Sequence, residues 1–356
     1  MRPRVRTFLI VLLTLGLLGY FFRNADMAGV WAETRRADPA LLTLAVVITG
    51  LTYAMRAWRW QSLLAPIGPT RFSNAFRTTV IGFAASFLLP ARAGEVMRPY
   101  LLARREHLSA TSVFATIILE RLLDLATVLL LFAFFVLSVP PGVIAADPSD
   151  LAGVKFWGSV AAVASLAGLA VLFALAGHPE RLGRAALRIE RVLPARLARA
   201  VAGFVETFAQ GLAVLRQPAR LVAALALSFP LWMSIAAGIW LTSRAFHITF
   251  PYTASFLVMT ILVVGVAMPT PGAIGGFHTA YQIAVSTFFG VPTDRAVGAA
   301  IVLHAISFIP VTLLGIAFMM REGLTFSGAR RIVEEAGGGD EAGAQPGAPA
   351  LEKDAR

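Results

Sequence analysis

Cysteine is absent from all 356 residues, and lysine occurs only as Lys155 and Lys353. The first absence excludes disulfides, thiol nucleophiles and thiolate metal sites. Charge of any kind is scarce: Asp, Glu, Lys and Arg make up 14% of the chain against 57% apolar residues, a balance of membrane proteins and not of soluble domains. There is no Gly-Lys dipeptide, so no phosphate-binding Walker loop and no ATP-driven pumping by this chain alone. Neither Gly-x-Ser-x-Gly nor His-Glu-x-x-His occurs, which argues against the common hydrolase and metalloprotease designs. The charge that is present is a formal +11, almost wholly arginine, and most of it flanks apolar runs. That is the pattern of cytoplasmic membrane loops; a nucleic-acid interface would gather the arginines on one solvated face.

The fold class this implies is an all-α polytopic membrane protein with six to eight spans. Arg2, Arg4 and Arg6 precede a first apolar run, Thr7 to Phe22, read as an uncleaved span because Val30-Trp31-Ala32 is a poor cleavage site. The charge-neutral segment after it suits the outer side. A second span follows from about Ala40 to Leu64, with Arg56, Trp58, Arg59 and Trp60 read as an aromatic and basic anchor near its inner end. If Phe76 to Leu89 then crossed completely, the basic residues Arg92 to Arg105 would lie outside and the acidic loop Pro140 to Val154 inside, against the positive-inside rule. A re-entrant hairpin with its break at Pro90 and Gly94 repairs both signs. Ser112 to Val139 and Phe156 to Ala176 continue as spans.

Residues 178–220 carry eight arginines against Glu180, Glu190 and Glu206, and read as a cytoplasmic amphipathic segment seated on anionic headgroups. After the span Leu221 to Ser243, the breaker cluster Pro269 to Gly276 divides two apolar runs, each short of the roughly 20 residues a crossing needs. They form either a second hairpin, entering from the outer face, or two thin spans. Ala296 to Met320 is the last span, so both termini are expected in the cytoplasm. Residues 1–325 form the membrane domain and 326–356, rich in Gly, Ala and Pro, a disordered tail. Span, hairpin and span thus occur twice with opposite orientation, and Pro90 to Gly94 shares its Pro-x-x-x-Gly spacing with Pro271 to Gly275. Inverted repeats with broken helices are a secondary-transporter architecture.

Charges at bilayer depth are the candidate site. Arg92, Arg98 and Arg121 stand against Glu95, Glu120 and Asp124, three and three. Glu120 and Asp124 are four apart and share a helix face. The set is open to two readings, a structural ion network pinning the hairpin to the helix or a site where an arginine leaves its partner for a lipid phosphate. Gly272, Gly275 and Gly276 offer freed amides at a helix start, which attract phosphate, or merely allow tight packing. His278 and Tyr281 follow on the same half-helix; the histidine is a proton carrier or an interhelical hydrogen bonder. Pro90, Gly94, Pro269 and Pro271 are the expected hinges. His278 with His304 lacks any metal-ligand spacing, and neither metal nor cofactor is implied.

Four segments taken in order resemble the lysylphosphatidylglycerol synthase transmembrane-region family: Arg56-Ala-Trp-Arg59, Pro90 to Arg98, Glu120-Arg121-Leu-Leu-Asp124 and Pro269 to His278. The resemblance covers about residues 5 to 322. It implies a bacterial inner-membrane protein that moves or handles lipids, such as aminoacylated phosphatidylglycerol or polyprenyl-linked precursors, without the soluble transferase half of the fused proteins. Where that family often shows a further glycine and then a glutamate, this chain has Ala273 and His278, so no carboxylate role carries over there. The expected function is a lipid flippase or lipid-binding transporter. The alternatives are a membrane-embedded transferase using Glu95 or Glu120 as base, and a scaffold for a separate lipid-modifying synthase.

Overall fold

The computed structural model describes residues 3–89, 92–139, 142–145, 148–177, 203 and 207–323. Pro90, most of the arginine-rich stretch between 178 and 206, and the 326–356 tail lie outside the described residues. Among those described there is no strand.

The chain opens with α1 (Pro3–Phe22), which bends by 77° into the short polar helix α2 (Met27–Arg36), whose first turn is capped by Asp26. Asp38 caps α3 (Pro39–Leu64), and Pro39 fills its first turn, where a missing N–H costs nothing. Then come α4 (Phe72–Leu88), α5 (Gly94–Glu106), α6 (Ala110–Ser138) and α7 (Pro148–Gly177). They are followed by α8 (Pro218–Ala245), α9 (Ser255–Ala267), α10 (Gly276–Phe289) and α11 (Thr293–Arg321). Among the described residues four helices, α3, α6, α8 and α11, are long and apolar enough to cross a membrane, or five spans if α1 and α2 count as one broken span. The remaining apolar helices, α7, α9 and α10, are additional to these.

The breakers expected at Gly94 and at Pro269 to Gly276 divide two helical hairpins. In the first, Glu106 at the end of α5 accepts hydrogen bonds from the Arg71 backbone (2.8 Å) and the Asn74 side chain (2.9 Å) at the start of α4. The two helices therefore run antiparallel. Near the tip they touch backbone to backbone: a Cβ on Gly94 would collide with the Gly82 carbonyl. In the second hairpin Gly276 meets Gly265 in the same way, and Phe250 stacks on Phe289 at 4.8 Å where the two arms begin and end. At about 1.5 Å per residue, arms of 17, 13, 13 and 14 residues are about 20 to 25 Å long, short of a hydrocarbon core of about 30 Å.

Around the hairpins, α3 packs along α8, α4 against α11, and α9 against α6. One large apolar cluster joins α6 and α8 to α11, and a second joins α3, α5 and α6. The structure corrects the interfacial anchor expected near the end of α3: Arg59 and Trp60 are fully buried and Arg56 is 8% exposed, and of the four only Trp58, at 59%, faces outward. Successive buried positions 56, 59, 60 and 63 are the i, i+3, i+4, i+7 stripe of a helix face turned inward.

Candidate functional site

The tips of the two hairpins meet inside the bundle. Arg92, at the turn into α5, donates a hydrogen bond to the Val266 carbonyl in the last turn of α9. The Gly272 carbonyl of the opposite tip accepts from His304 Nε2 of α11 at 2.8 Å, a bond that puts that ring's proton on Nε2. Each tip also holds a residue other than glycine in the left-handed region, Arg92 at φ 54° and Ala273 at φ 57°.

Beside this junction α3, α5 and α6 bring buried charges together. The Arg98 guanidinium grips Glu120 with both Nη atoms, at 3.0 and 3.1 Å, and lies 3.9 Å above the Trp60 ring. Arg59 donates to Asp124 at 2.5 Å and to Ser228 at 2.8 Å, and Asp124 also accepts the Trp232 indole N–H at 2.8 Å. Arg121 reaches Glu120 at 3.1 Å and Asp124 at 3.7 Å. Such forked, charge-assisted bonds offset the desolvation of ions that water no longer reaches. Arg56 differs from its neighbours in making no hydrogen bond or close ion pair to a carboxylate among the described residues; its Nη1 is unpartnered, and the guanidinium faces the rings of Phe83 (5.1 Å) and Trp232 (5.7 Å).

Two chambers open onto the cluster. The smaller, about 120 Å³, lies between Gly82, Ser86, Arg98 and Thr270. The larger, about 360 Å³, has apolar walls from α8, α9 and α11 and a polar flank of Arg56, Arg121 and Asp124. Phe83, Phe87, Arg92, Glu95, Arg121 and Val266 line both. Arg92 and Glu95 sit 3.7 Å apart and are nearly half exposed, so this pair is free to part, whereas Glu120 is enclosed.

Six of the sequence-derived site residues, Arg92, Glu95, Arg98, Glu120, Arg121 and Asp124, are thus brought together. Gly272, Gly275, Gly276, His278 and Tyr281 line neither chamber. A Cβ on Gly275 would meet Leu17 of α1 at 2.9 Å, so α1 covers that helix start, and the Gly275 N–H is turned to His278 Nδ1 at 3.4 Å. The His278 ring lies against that of His304, centroids 4.5 Å apart and planes tilted by 32°. Tyr281 is buried and shares a 2.7 Å hydrogen bond with Ser243. Pro269 and Pro271 lie in the link between α9 and α10, where Pro271 opens a single 3-10 turn, Pro271–Ala273, and Gly94 opens α5. Sequence reasoning missed Arg56, Arg59, Ser228 and Trp232 as members of the site. For the two arginines the signal was their spacing of three with Trp60 following, a charged stripe inside an apolar helix.

Comparison with known proteins now gives this geometry a family. The chain matches the family described as the lysylphosphatidylglycerol synthase TM region over residues 7–315, and it belongs to that family. It is 26% identical over 300 residues to a UPF0104 membrane protein of Methanothermobacter thermautotrophicus, an alignment covering 80% of this chain and 86% of the other. A second UPF0104 membrane protein, from Methanocaldococcus jannaschii, is 29% identical over 105 residues, 29% of this chain and 30% of the other. Glycosyltransferase AglD of Haloferax volcanii is 30% identical over 122 residues, 34% of this chain. The match spans only 19% of the length of AglD.

Proposed function

Taking membership of a lipid-synthase membrane-region family as the premise, we propose that this protein carries a polar-headed lipid, phospho- or polyprenyl-linked, across the membrane. The observation that carries the reading is the larger chamber, whose apolar walls hold three arginines, Arg56, Arg92 and Arg121. An anionic headgroup exchanges its hydration for these guanidiniums while its tails stay in lipid. The two hairpins act as re-entrant loops inserted from opposite faces. Repeat symmetry is supported by matched packing, α3 on α8 and each hairpin against the third helix of the other half. Rocking of one half against the other exposes the chamber to either leaflet. In this scheme the protein sits in the cytoplasmic membrane with both termini inside, and the arginine-rich segment 178–220 rests on anionic lipid.

The test is reconstitution of the purified chain in liposomes carrying headgroup-labelled lipids. Transbilayer movement above that of protein-free vesicles, lost in Arg92→Gln, supports the reading; equal rates with and without protein remove it. A second reading, a membrane-embedded transferase, has one observation in its favour. Glu95 is half exposed and faces both chambers, as a general base must, while the enclosure of Glu120 by Arg98 disqualifies the other carboxylate. The name of AglD belongs with this second reading. A new lipid product made from lipid and donor by the pure protein, lost in Glu95→Gln, would establish it. If the chain is instead a scaffold for a separate synthase, both variants keep function and changes in the arginine-rich segment abolish it.

A further inference from the structure

We infer that the larger chamber is built for a headgroup carrying two negative charges, a phosphate monoester or a diphosphate diester on a lipid, and not the single charge of an ordinary phosphodiester. The inference deepens the transport reading and rests on it for the word lipid. The cluster and its chambers hold Arg56, Arg59, Arg92, Arg98 and Arg121 against Glu95, Glu120 and Asp124, five positive charges and three negative, a surplus of two.

The pairing says which two are left over. Arg98 takes both oxygens of Glu120, Arg59 takes Asp124, and Arg92 faces Glu95. Arg121 then leans on carboxylates already engaged, and Arg56 makes no hydrogen bond or close ion pair among the described residues, although it is more than nine-tenths buried; the opposite charge it feels is Asp124, which Arg59 already holds. Both surplus cations line the same 360 Å³ chamber. A monoanion would leave the site at a net charge of +1 between largely apolar walls, shared by the buried Arg56 and the 42% exposed Arg121, whereas a dianion brings the sum to zero. The rings of Phe83 and Trp232, 5.1 and 5.7 Å from the Arg56 guanidinium, hold it in place for that ligand.

The experiment is calorimetric titration of the full chain in detergent at pH 8 with four probes: farnesyl monophosphate, farnesyl methyl diphosphate, dihexanoylphosphatidylglycerol and inorganic phosphate. Both farnesyl dianions are expected to bind at least about tenfold tighter than the phosphodiester, the size of one extra charge-assisted hydrogen bond. Arg56→Gln and Arg121→Gln each narrow that gap, and Arg56→Lys, which keeps the charge, preserves it. Lowering the pH to 5.5 weakens the monophosphate alone, because its second proton returns near a pKa of about 6. Equal affinity for phosphodiester and dianions, or a gap untouched by both glutamine variants, overturns the inference. Inorganic phosphate binding as tightly as farnesyl phosphate overturns its lipid half. A dianion preference without transbilayer movement sinks the transport reading and leaves this one standing; transport of phosphodiester lipids with no such preference does the reverse.

Discussion

The hairpin of α4 and α5 and that of α9 and α10 are each closed by glycine against glycine, Gly82 on Gly94 and Gly265 on Gly276. Each also turns through a residue other than glycine in the left-handed region, Arg92 in the first and Ala273 in the second. Their furnishing differs. The first tip carries Arg92, Glu95 and Arg98 into a network of buried charge, whereas the second carries Gly272, Gly275 and His278 and ends against α1 and a second histidine. The shared glycine crossing is what lets two short helices approach closely enough to turn back inside a bundle. The difference separates scaffold from chemistry: backbone geometry is repeated, and charge is supplied on one side only.

The largest expected effect exploits that asymmetry. Glu120→Ala strips the partner from Arg98 and weakens the hold on Arg59 and Arg121, and should destabilise the protein by about 3–5 kcal/mol, the cost of orphaning buried ions. Tyr281→Phe on the uncharged hairpin removes one neutral hydrogen bond and should cost about 1 kcal/mol. Thermal unfolding of both variants in the same detergent checks the ratio, and equal losses would erase the contrast.

A smaller effect tests what the tips share. Ala273→Gly relieves a left-handed alanine and should stabilise by about 1 kcal/mol. Arg92→Gly relieves the same strain but forfeits the hydrogen bond to Val266, so its net change should be near zero. A stabilisation as large in Arg92→Gly as in Ala273→Gly would mean that the bond between the tips contributes nothing.

The smallest effect lies away from both tips. Glu33 on α2 accepts from Arg295 Nε of α11 at 2.8 Å, and this hydrogen bond, reinforced by the attraction of Arg295 and Arg36, holds its carboxyl below the usual range. With the folded pKa depressed, the pair's stabilisation is present above the unfolded pKa of about 4.3 and is lost as the pH falls through the folded value. For a partly exposed pair it amounts to about 1 kcal/mol or less. Melting temperatures of the wild type and Arg295→Gln should converge as the pH drops from 7 toward 3; a constant offset would show that the pair does not titrate with folding.

The helical class and the breakers at both tips could be read directly, because apolar runs interrupted by Pro, Gly and charge have few other solutions in a bilayer. Six charged residues of the site were legible for the same reason. Arg56 and Arg59 were not, because basic and aromatic residues near the end of an apolar run look the same whether they face headgroups or the bundle. Only the inward stripe with Trp60 and Leu63 decides it, and Trp58 on the opposite face does behave as an exposed aromatic. The glycines of the second tip were ambiguous for another reason. Their amides are free by sequence, and only the contact of Gly275 with Leu17, more than 250 residues earlier, and of Gly276 with Gly265 shows those two positions closed off.

The proposed transport requires a water-lined chamber sheltered inside the bundle where the tips meet. With no native cysteine, the chain allows single reporters at Ser86 and Ser307, one lining each chamber, by the near-isosteric Ser→Cys change. Reactivity of both toward a small charged thiosulfonate, with little reaction toward a bulky maleimide and protection by a lipid phosphate, is the predicted result. Inertness to the small reagent, or full-speed reaction with the bulky one, would contradict it.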